Sequence, residues 1–311
     1  MGIRLLNKLI NTYSPDAIKQ IHLTEFYNKT VCIDTMIYLY KYKTEDALLE
    51  NMYLMCTIFH YYRIKPIFVF DGSPPKEKLD ELKKRQEKRE EALEKFNNMT
   101  EEEKRKMKPK NLYDLKSQIV KITKEDIENV KNLFNYYGIE HITSSGEADS
   151  LLAELVIKKK AFACISDDMD LFAYGCPFVL RHFSLFKHNI LSYDTKLIYK
   201  NLKINSNDFK WLCVMSGTDY YKNRNNKNIF FYYNIYTKYL KLGEDITFPD
   251  WLLQKNILFK QDHKLIEELV KLFNIKNEIN TKTIFKWKRM DKNKLYILLE
   301  KENFLNPIAV N

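Results

Sequence analysis

The chain has 311 residues, is 45% hydrophobic and carries a formal charge of +10. That length buries a sizeable core in one large or two smaller domains, and no apolar run nears the roughly 18 residues of a membrane span. Met1-Gly2-Ile3-Arg4-Leu5-Leu6 lacks the apolar stretch of a signal peptide and the Ser or Thr at position 6 that accompanies myristoylation, so an intracellular protein is expected. Excess Lys and Arg suits a polyanionic partner, because phosphate contacts release counterions, but charge alone does not single out nucleic acid. Cys32, Cys56, Cys164, Cys176 and Cys213 form no CxxC pair, so buried reduced thiols are expected rather than zinc ligands or disulfides.

In chain order, the first strong element is Thr30-Val31-Cys32-Ile33-Asp34, a short apolar run ending in an acid. A helical stretch follows from about Leu48 to Tyr62. Pro66-Ile67-Phe68-Val69-Phe70-Asp71-Gly72 is a second apolar run ending in an acid. From Lys76 to Lys110 the chain is dense in Lys, Arg and Glu and has no Gly; it reads as one long exposed helix broken near Asn97-Asn98 and Pro109. An amphipathic helix over Lys124 to Tyr137 follows, with Gly138 placed to end it. Ala161-Phe162-Ala163-Cys164-Ile165-Ser166 is a third apolar run, followed by acids, and Phe178-Val179-Leu180-Arg181 reads as a fourth. Short continuous apolar runs separated by helices indicate a parallel sheet buried on both faces. From Asn207 onward the pattern is helical and rich in tyrosine.

The placement of the acids carries the chemical information. Asp34 and Asp71 end strands, and Asp168 and Asp170 follow a third strand in Ser166-Asp167-Asp168-Met169-Asp170. Glu147 and Asp149 open a helix whose apolar stripe is Leu151, Leu152, Leu155 and Val156, and Asp219 follows the apolar segment Trp211 to Met215. In open α/β sheets, sites form beyond the carboxyl ends of the strands. Acids gathered there repel one another unless hard cations neutralise them. A set of oxygen ligands without His or Cys favours Mg²⁺ or Mn²⁺ over zinc, and two such ions suit in-line displacement at phosphorus. Each acid taken singly also suits a helix cap or a solvated loop.

These blocks, in this order, resemble the flap endonuclease branch of the structure-specific 5′ nucleases. The resemblance rests on Met1-Gly2-Ile3-Arg4, Val31-Cys32-Ile33-Asp34, Phe70-Asp71-Gly72-Ser73-Pro74-Pro75, Gly146-Glu147-Ala148-Asp149, Asp168-Met169-Asp170 and Gly217-Thr218-Asp219-Tyr220. It extends to the strand Gly175-Cys176-Pro177-Phe178-Val179-Leu180-Arg181-His182. It implies a PIN-like α/β nuclease fold with a central, mostly parallel sheet, a helical arch insertion and a helical C-terminal region. The α/β core would span 1–220, including an arch or cap over 76–137. The C-terminal region would span 221–311 and hold an atypical helix-hairpin-helix-like element.

The same resemblance makes Asp34, Asp71, Glu147, Asp149, Asp168, Asp170 and Asp219 metal ligands for two Mg²⁺ ions, with Mn²⁺ able to substitute. Asp149 stands where the family usually has glutamate, so its shorter reach implies contact through water. Lys78 and Arg85 look like the arch-base cations that stabilise the scissile phosphate, and Arg89 and Arg181 are assigned to DNA contacts. Tyr40 falls where the family stacks a tyrosine on a base, although packing in the Tyr38–Tyr42 cluster also explains it. Where the family has a glycine hairpin, this chain reads Tyr221-Lys222-Asn223-Arg224-Asn225-Asn226-Lys227. Lys222, Arg224 and Lys227 would there replace backbone contacts with charge, or form a solvated loop. No sliding-clamp motif or basic tail is recognised before Asn311, as a compact or viral member would have it.

The expectation is therefore a monomeric hydrolase without a membrane partner. It would cut 5′-flap or branched DNA in replication and repair, with 5′-3′ exonuclease activity, in the nucleus or at a viral cytoplasmic replication site. A non-catalytic binder of branched DNA and an RNA-directed PIN-type nuclease are the alternatives.

Overall fold

A computed structural model describes residues 2–221, 227–243, 245–280, 282–285 and 287–301. Its strands are β1 (Ile18–His22), β2 (Thr30–Asp34), β3 (Lys65–Phe70), β4 (Glu140–Thr143), β5 (Ala163–Ile165), β6 (Phe178–Arg181) and β7 (Asn189–Asp194). Its α-helices begin with α1 (Leu6–Tyr13), α2 (Thr35–Thr44), α3 (Leu48–Tyr61), α4 (Leu79–Asn97), α5 (Glu101–Lys106), α6 (Pro109–Ile119) and α7 (Lys124–Tyr137). They continue with α8 (Ala148–Ile157), α9 (Asp170–Ala173), α10 (Thr195–Leu202), α11 (Ser206–Ser216), α12 (Ile229–Leu242), α13 (Phe248–Gln254), α14 (Lys260–Leu272) and α15 (Lys292–Lys301).

The strands form one sheet in the order β1-β7-β6-β5-β2-β3-β4. β6, β5, β2, β3 and β4 run parallel; β7 is antiparallel to β6 and to β1. The period-2 pleat sorts the apolar runs onto two faces. Cys32, Ile67, Val69, Cys164 and Val179 join one core with α8, α9 and α11. Val31, Ile33, Phe68, Phe70, Ile165 and Leu180 join the other, with α2, α3, α7 and Leu295 of α15. Both faces are covered, which is why these strands read as continuous apolar runs. The three strands without such a run were not foreseen: β1 (Ile18–His22) is a half-exposed edge, β4 (Glu140–Thr143) is the opposite edge, and β7 alternates in burial.

The charged insertion breaks where its residues dictate. α4 ends at Asn97, Thr100 and Glu103 form a capping box that starts α5, and Pro109 opens α6. α6 packs against both α4 and α2. Thr123 and Asp126 make a second capping box at α7, which Gly138 closes in the left-handed conformation (φ +80°). All five cysteines are free and buried. Among the described residues, no helix is long and apolar enough to cross a membrane.

Candidate active site

The register of β3, β2 and β5 brings their carboxyl ends to one edge of the sheet. Asp34 ends β2 and caps α2, accepting from the Ile37 amide at 3.4 Å with one oxygen and from Ser166 Oγ at 3.0 Å with the other. Asp71, just past β3, reaches across to accept from the Ala148 amide at 2.7 Å. Asp71 thus supplies the cap for α8 from another strand. Glu147, at the N-cap position, makes no side-chain cap bond of its own, so its carboxylate is left for other partners.

Behind β5, the Ser166 hydroxyl accepts from the Asp168 amide at 3.1 Å, and Asp168 Oδ1 accepts from the Asp170 amide at 3.0 Å. Their neighbour Asp167 turns away and accepts from the His182 amide at 2.7 Å. Asp219 stands in the tight turn after α11, where Thr218 and Tyr221 pair across a bridge and Gly217 takes φ +103°. Gly2 completes the floor. A Cβ at Gly2 would lie 2.6 Å from Asp168 Oδ1 and 2.7 Å from Asp170 Oδ1. The backbone therefore rests directly on two carboxylates, an approach open only to glycine.

Two cations from the base of the arch meet these acids. Lys78 pairs with Glu147 and lies 3.6 Å from Asp219. Arg85 donates to Asp219 at 2.5 Å and pairs with Glu81 at 3.3 Å within its own helix. The Tyr220 hydroxyl donates to the second Glu147 oxygen.

The acids form one electrostatic unit. Burial, then the charge of Asp71, raises Asp34 to about 7. Asp149 rises well above the carboxylate range through burial and then Asp168 and Asp34; Asp170 rises through burial and then Asp168 and Asp219. Asp71 is the most open of the set yet is also raised, by burial and Glu147, against the lowering pull of the Ala148 amide and Lys78. Lys78 is raised as well, which for a lysine favours the charged form. Burial alone would lower it, but Glu147 and Asp219 outweigh that and hold it charged. Asp149, although one methylene short of glutamate, feels the charges of Asp168, Asp34, Asp170 and Asp71.

The expected residues divide on position. The seven acids, Lys78 and Arg85 share this electrostatic cluster. Tyr40 is on the outer side of α2, 45% exposed, whereas Tyr38 and Tyr42 are buried; core packing therefore does not explain Tyr40. Arg89 lies one turn beyond Arg85 and is half-buried. Arg181 is a correction. It is only 7% exposed, donates to the Asp167 carbonyl at 3.0 Å and to Asn7 Oδ1 at 3.3 Å, and lies over the Tyr193 ring, so it braces α1 against the sheet and does not face a ligand. Lys227 sits over the Phe231 ring at 4.5 Å, at the start of α12. Lys222 and Arg224 lie outside the described residues. Sequence reasoning missed the roles of Ser166 and Tyr220; the tyrosine adjoins Asp219 in a recognised block, and only the fold turns it onto Glu147.

The donor set fits hard divalent cations in its chemistry. It consists of carboxylates without His or Cys, and Asp170 Oδ1 is buried with no hydrogen-bond partner. Among the described residues no three acids, histidines or cysteines close into a cage that would enclose an ion, and Lys78 and Arg85 pair with Glu147 and Asp219.

Known proteins resemble this chain in sequence and in fold. The XPG N-terminal domain matches residues 1–92 and the XPG I-region matches residues 138–219. Flap endonuclease 1 of Saccharomyces cerevisiae (strain YJM789) is 34% identical over 239 residues, covering 71% of this chain and 61% of that protein. The chain thus spans somewhat less than two thirds of the curated relative it matches. The catalytic core of Rad2 in complex with DNA substrate superposes with a TM-score of 0.68 at 19% identity, covering 96% of this chain and 94% of that one. Flap endonuclease-1 from Methanococcus jannaschii gives a TM-score of 0.65 at 22% identity, covering 98% and 94%. Nucleases of this kind are metal-dependent as a class. The chain has their mixed, mostly parallel sheet, and it belongs to the flap endonuclease and XPG-like family of structure-specific nucleases.

Proposed function

We propose that this chain is a metal-dependent 5′ nuclease that hydrolyses phosphodiester bonds at 5′ flaps or related branches in DNA. The observation that carries the reading is the joining of seven carboxylates at one sheet edge with two cations from the base of a charged helical insertion. Two Mg²⁺ ions held by Asp34, Asp71, Glu147, Asp149, Asp168, Asp170 and Asp219 would neutralise the cluster and supply an activated water and leaving-group stabilisation.

The chain's own residues then have separate tasks. Lys78 and Arg85 release Glu147 and Asp219 and turn to the scissile phosphate, where fixed cations stabilise charge that develops in the transition state. Tyr40, exposed on α2, offers a face for the base beside the cut. Helices α4 to α6 form the arch past which a single-stranded 5′ end is led, which also allows exonuclease action from a free end. Lys227 and the neighbouring basic residues would hold the duplex electrostatically.

The test is cleavage of a labelled 5′-flap duplex by the wild type and Asp170→Ala, with Mg²⁺ or with EDTA. Cutting by the wild type with Mg²⁺ alone is expected. Cutting in EDTA, or full activity in the variant, would overturn the reading. A parallel RNA flap distinguishes a DNA nuclease from an RNA-directed one.

A further inference from the structure

The turn that carries Glu147 is short and is held partly by its own residues. Ser144-Ser145-Gly146 leads from β4 into α8, and the Gly146 carbonyl accepts from the Gly72 amide at 2.6 Å. Ser144 Oγ lies 3.0 Å from the Glu147 carbonyl and receives the Gly146 amide at 3.3 Å. The Ser145 amide has its partner in a distant segment: Glu278 Oε2 accepts from it at 3.0 Å, and Ser144 Oγ lies 3.4 and 3.5 Å from the two Glu278 oxygens.

Glu278 is itself held from α8. Glu154, fully buried, accepts from the Glu278 amide at 2.9 Å with one oxygen and from the Ile279 amide at 2.8 Å with the other. Lys158 donates at 2.8 Å to Glu154 and at 2.8 Å to the Ile279 carbonyl. A buried carboxylate is costly unless its oxygens are filled by donors and a counter-charge, and here both requirements are met. The strap after α14 is therefore fixed to α8 at residues 154 and 158, and through Glu278 it grips the turn that opens the same helix.

Resting on the reading of the acid cluster as a metal site, we propose that Glu278 is a positioning residue that sets the Glu147 turn, and with it the Asp71–Ala148 bond, in the geometry that metal binding requires. A charge-assisted bond to a backbone amide is strong and directional. Outer partners of metal ligands typically alter affinity or activity by about 10- to 100-fold when lost. Glu278 touches neither the acids nor the site of cutting, so its effect must pass through the turn.

The experiment uses the full chain as wild type, Glu278→Ala, Glu278→Gln and Glu278→Asp. It measures kcat and KM on the flap duplex, Mn²⁺ binding without DNA by electron paramagnetic resonance, and thermal stability. Glu278→Ala is expected to lose about 10-fold or more in kcat, with KM changed less than about 3-fold, and to weaken Mn²⁺ binding by a comparable factor. Glu278→Gln, whose amide oxygen still accepts from Ser145, should restore most of both. Glu278→Asp retracts the carboxylate but keeps the backbone bonds to Glu154, so it should show the same loss even if Glu278→Ala loosens the strap. Wild-type kcat and Mn²⁺ affinity in Glu278→Ala, or a Gln variant as defective as Ala, would overturn the proposal. If the wild type fails to cut the flap, the nuclease reading fails, while the Mn²⁺ arm still decides the role of Glu278.

Discussion

Replacing Asp34 by Asn should stabilise the metal-free protein. Asp34 is 6% exposed and its carboxyl is raised to about 7 by burial and by Asp71. A carboxyl raised on folding binds its proton more tightly in the native state than in the unfolded chain. Its favourable contribution is therefore complete below the unfolded value near 4 and is lost as pH rises through about 7. At pH 8 the ionised group costs up to about 4 kcal/mol, from roughly three units at 1.36 kcal/mol each. The Asn oxygen keeps the Ile37 amide, and Ser166 reverses its hydroxyl to accept from the new amide, so the cap and the buried bond survive. With an unfolding entropy of about 2.1 cal/mol/K per residue, the gain corresponds to a rise in Tm of about 6 °C for a chain of this length. Scanning calorimetry in EDTA at pH 8 and pH 4.5 measures it: the variant should melt higher at pH 8, and the gap should shrink at pH 4.5. Millimolar Mg²⁺ should reverse the order, because only the wild type retains the full ligand set and gains from binding. Equal or lower stability of the variant at pH 8 in EDTA would refute the electrostatic account of the cluster.

Lys78→Met should have opposite effects on binding and catalysis: tighter Mn²⁺ binding, since Glu147 and Asp219 lose an internal competitor, and a kcat lower by about 100-fold; weaker Mn²⁺ binding would contradict the counterion role. Tyr40→Ala should raise KM for the flap by about 5- to 100-fold, the equivalent of one base stack, with unchanged Tm because the ring is exposed. Gly72→Ala should destabilise by about 2 kcal/mol or more, because its Cβ would run into the Ser144 carbonyl; urea denaturation reads this directly.

What could be read in the sequence follows from the range of each interaction. The strands that end in Asp34 and Asp71 were legible because burial on both faces forces a continuous apolar run. The breaks of the insertion were legible because Asn97-Asn98 and Pro109 interrupt a helix locally, whereas the capping boxes of Thr100 with Glu103 and Thr123 with Asp126 were not singled out. β1 and β4 were not, because edge strands carry too few apolar residues to stand out. Arg181 was misjudged because its place at the end of a recognised strand says nothing of the face it takes, and alternation turns it toward Asn7 and Tyr193. Asp71 on Ala148, Tyr220 on Glu147 and Glu278 on Ser145 each span from 73 to 133 positions, and no local pattern encodes such pairs.

The negative charge of the cluster is balanced in part from within the fold. Burial and mutual repulsion push Asp34, Asp149 and Asp170 toward their protonated forms, while Lys78 and Arg85 take the charge of Glu147 and Asp219. The cations reach the acids from the short turn at residues 76–78 just before α4 and from α4 itself, not from the strand ends and α8 that carry most of the acids. On the proposed reading, divalent ions entering the cluster would compete for the same oxygens, so each ion bound would free a cation on the arch. The freed cations would then be available to the phosphodiester proposed as substrate. Metal loading and readiness of the arch to grip phosphate would be two sides of one exchange equilibrium, and a substitution on either side should move the other.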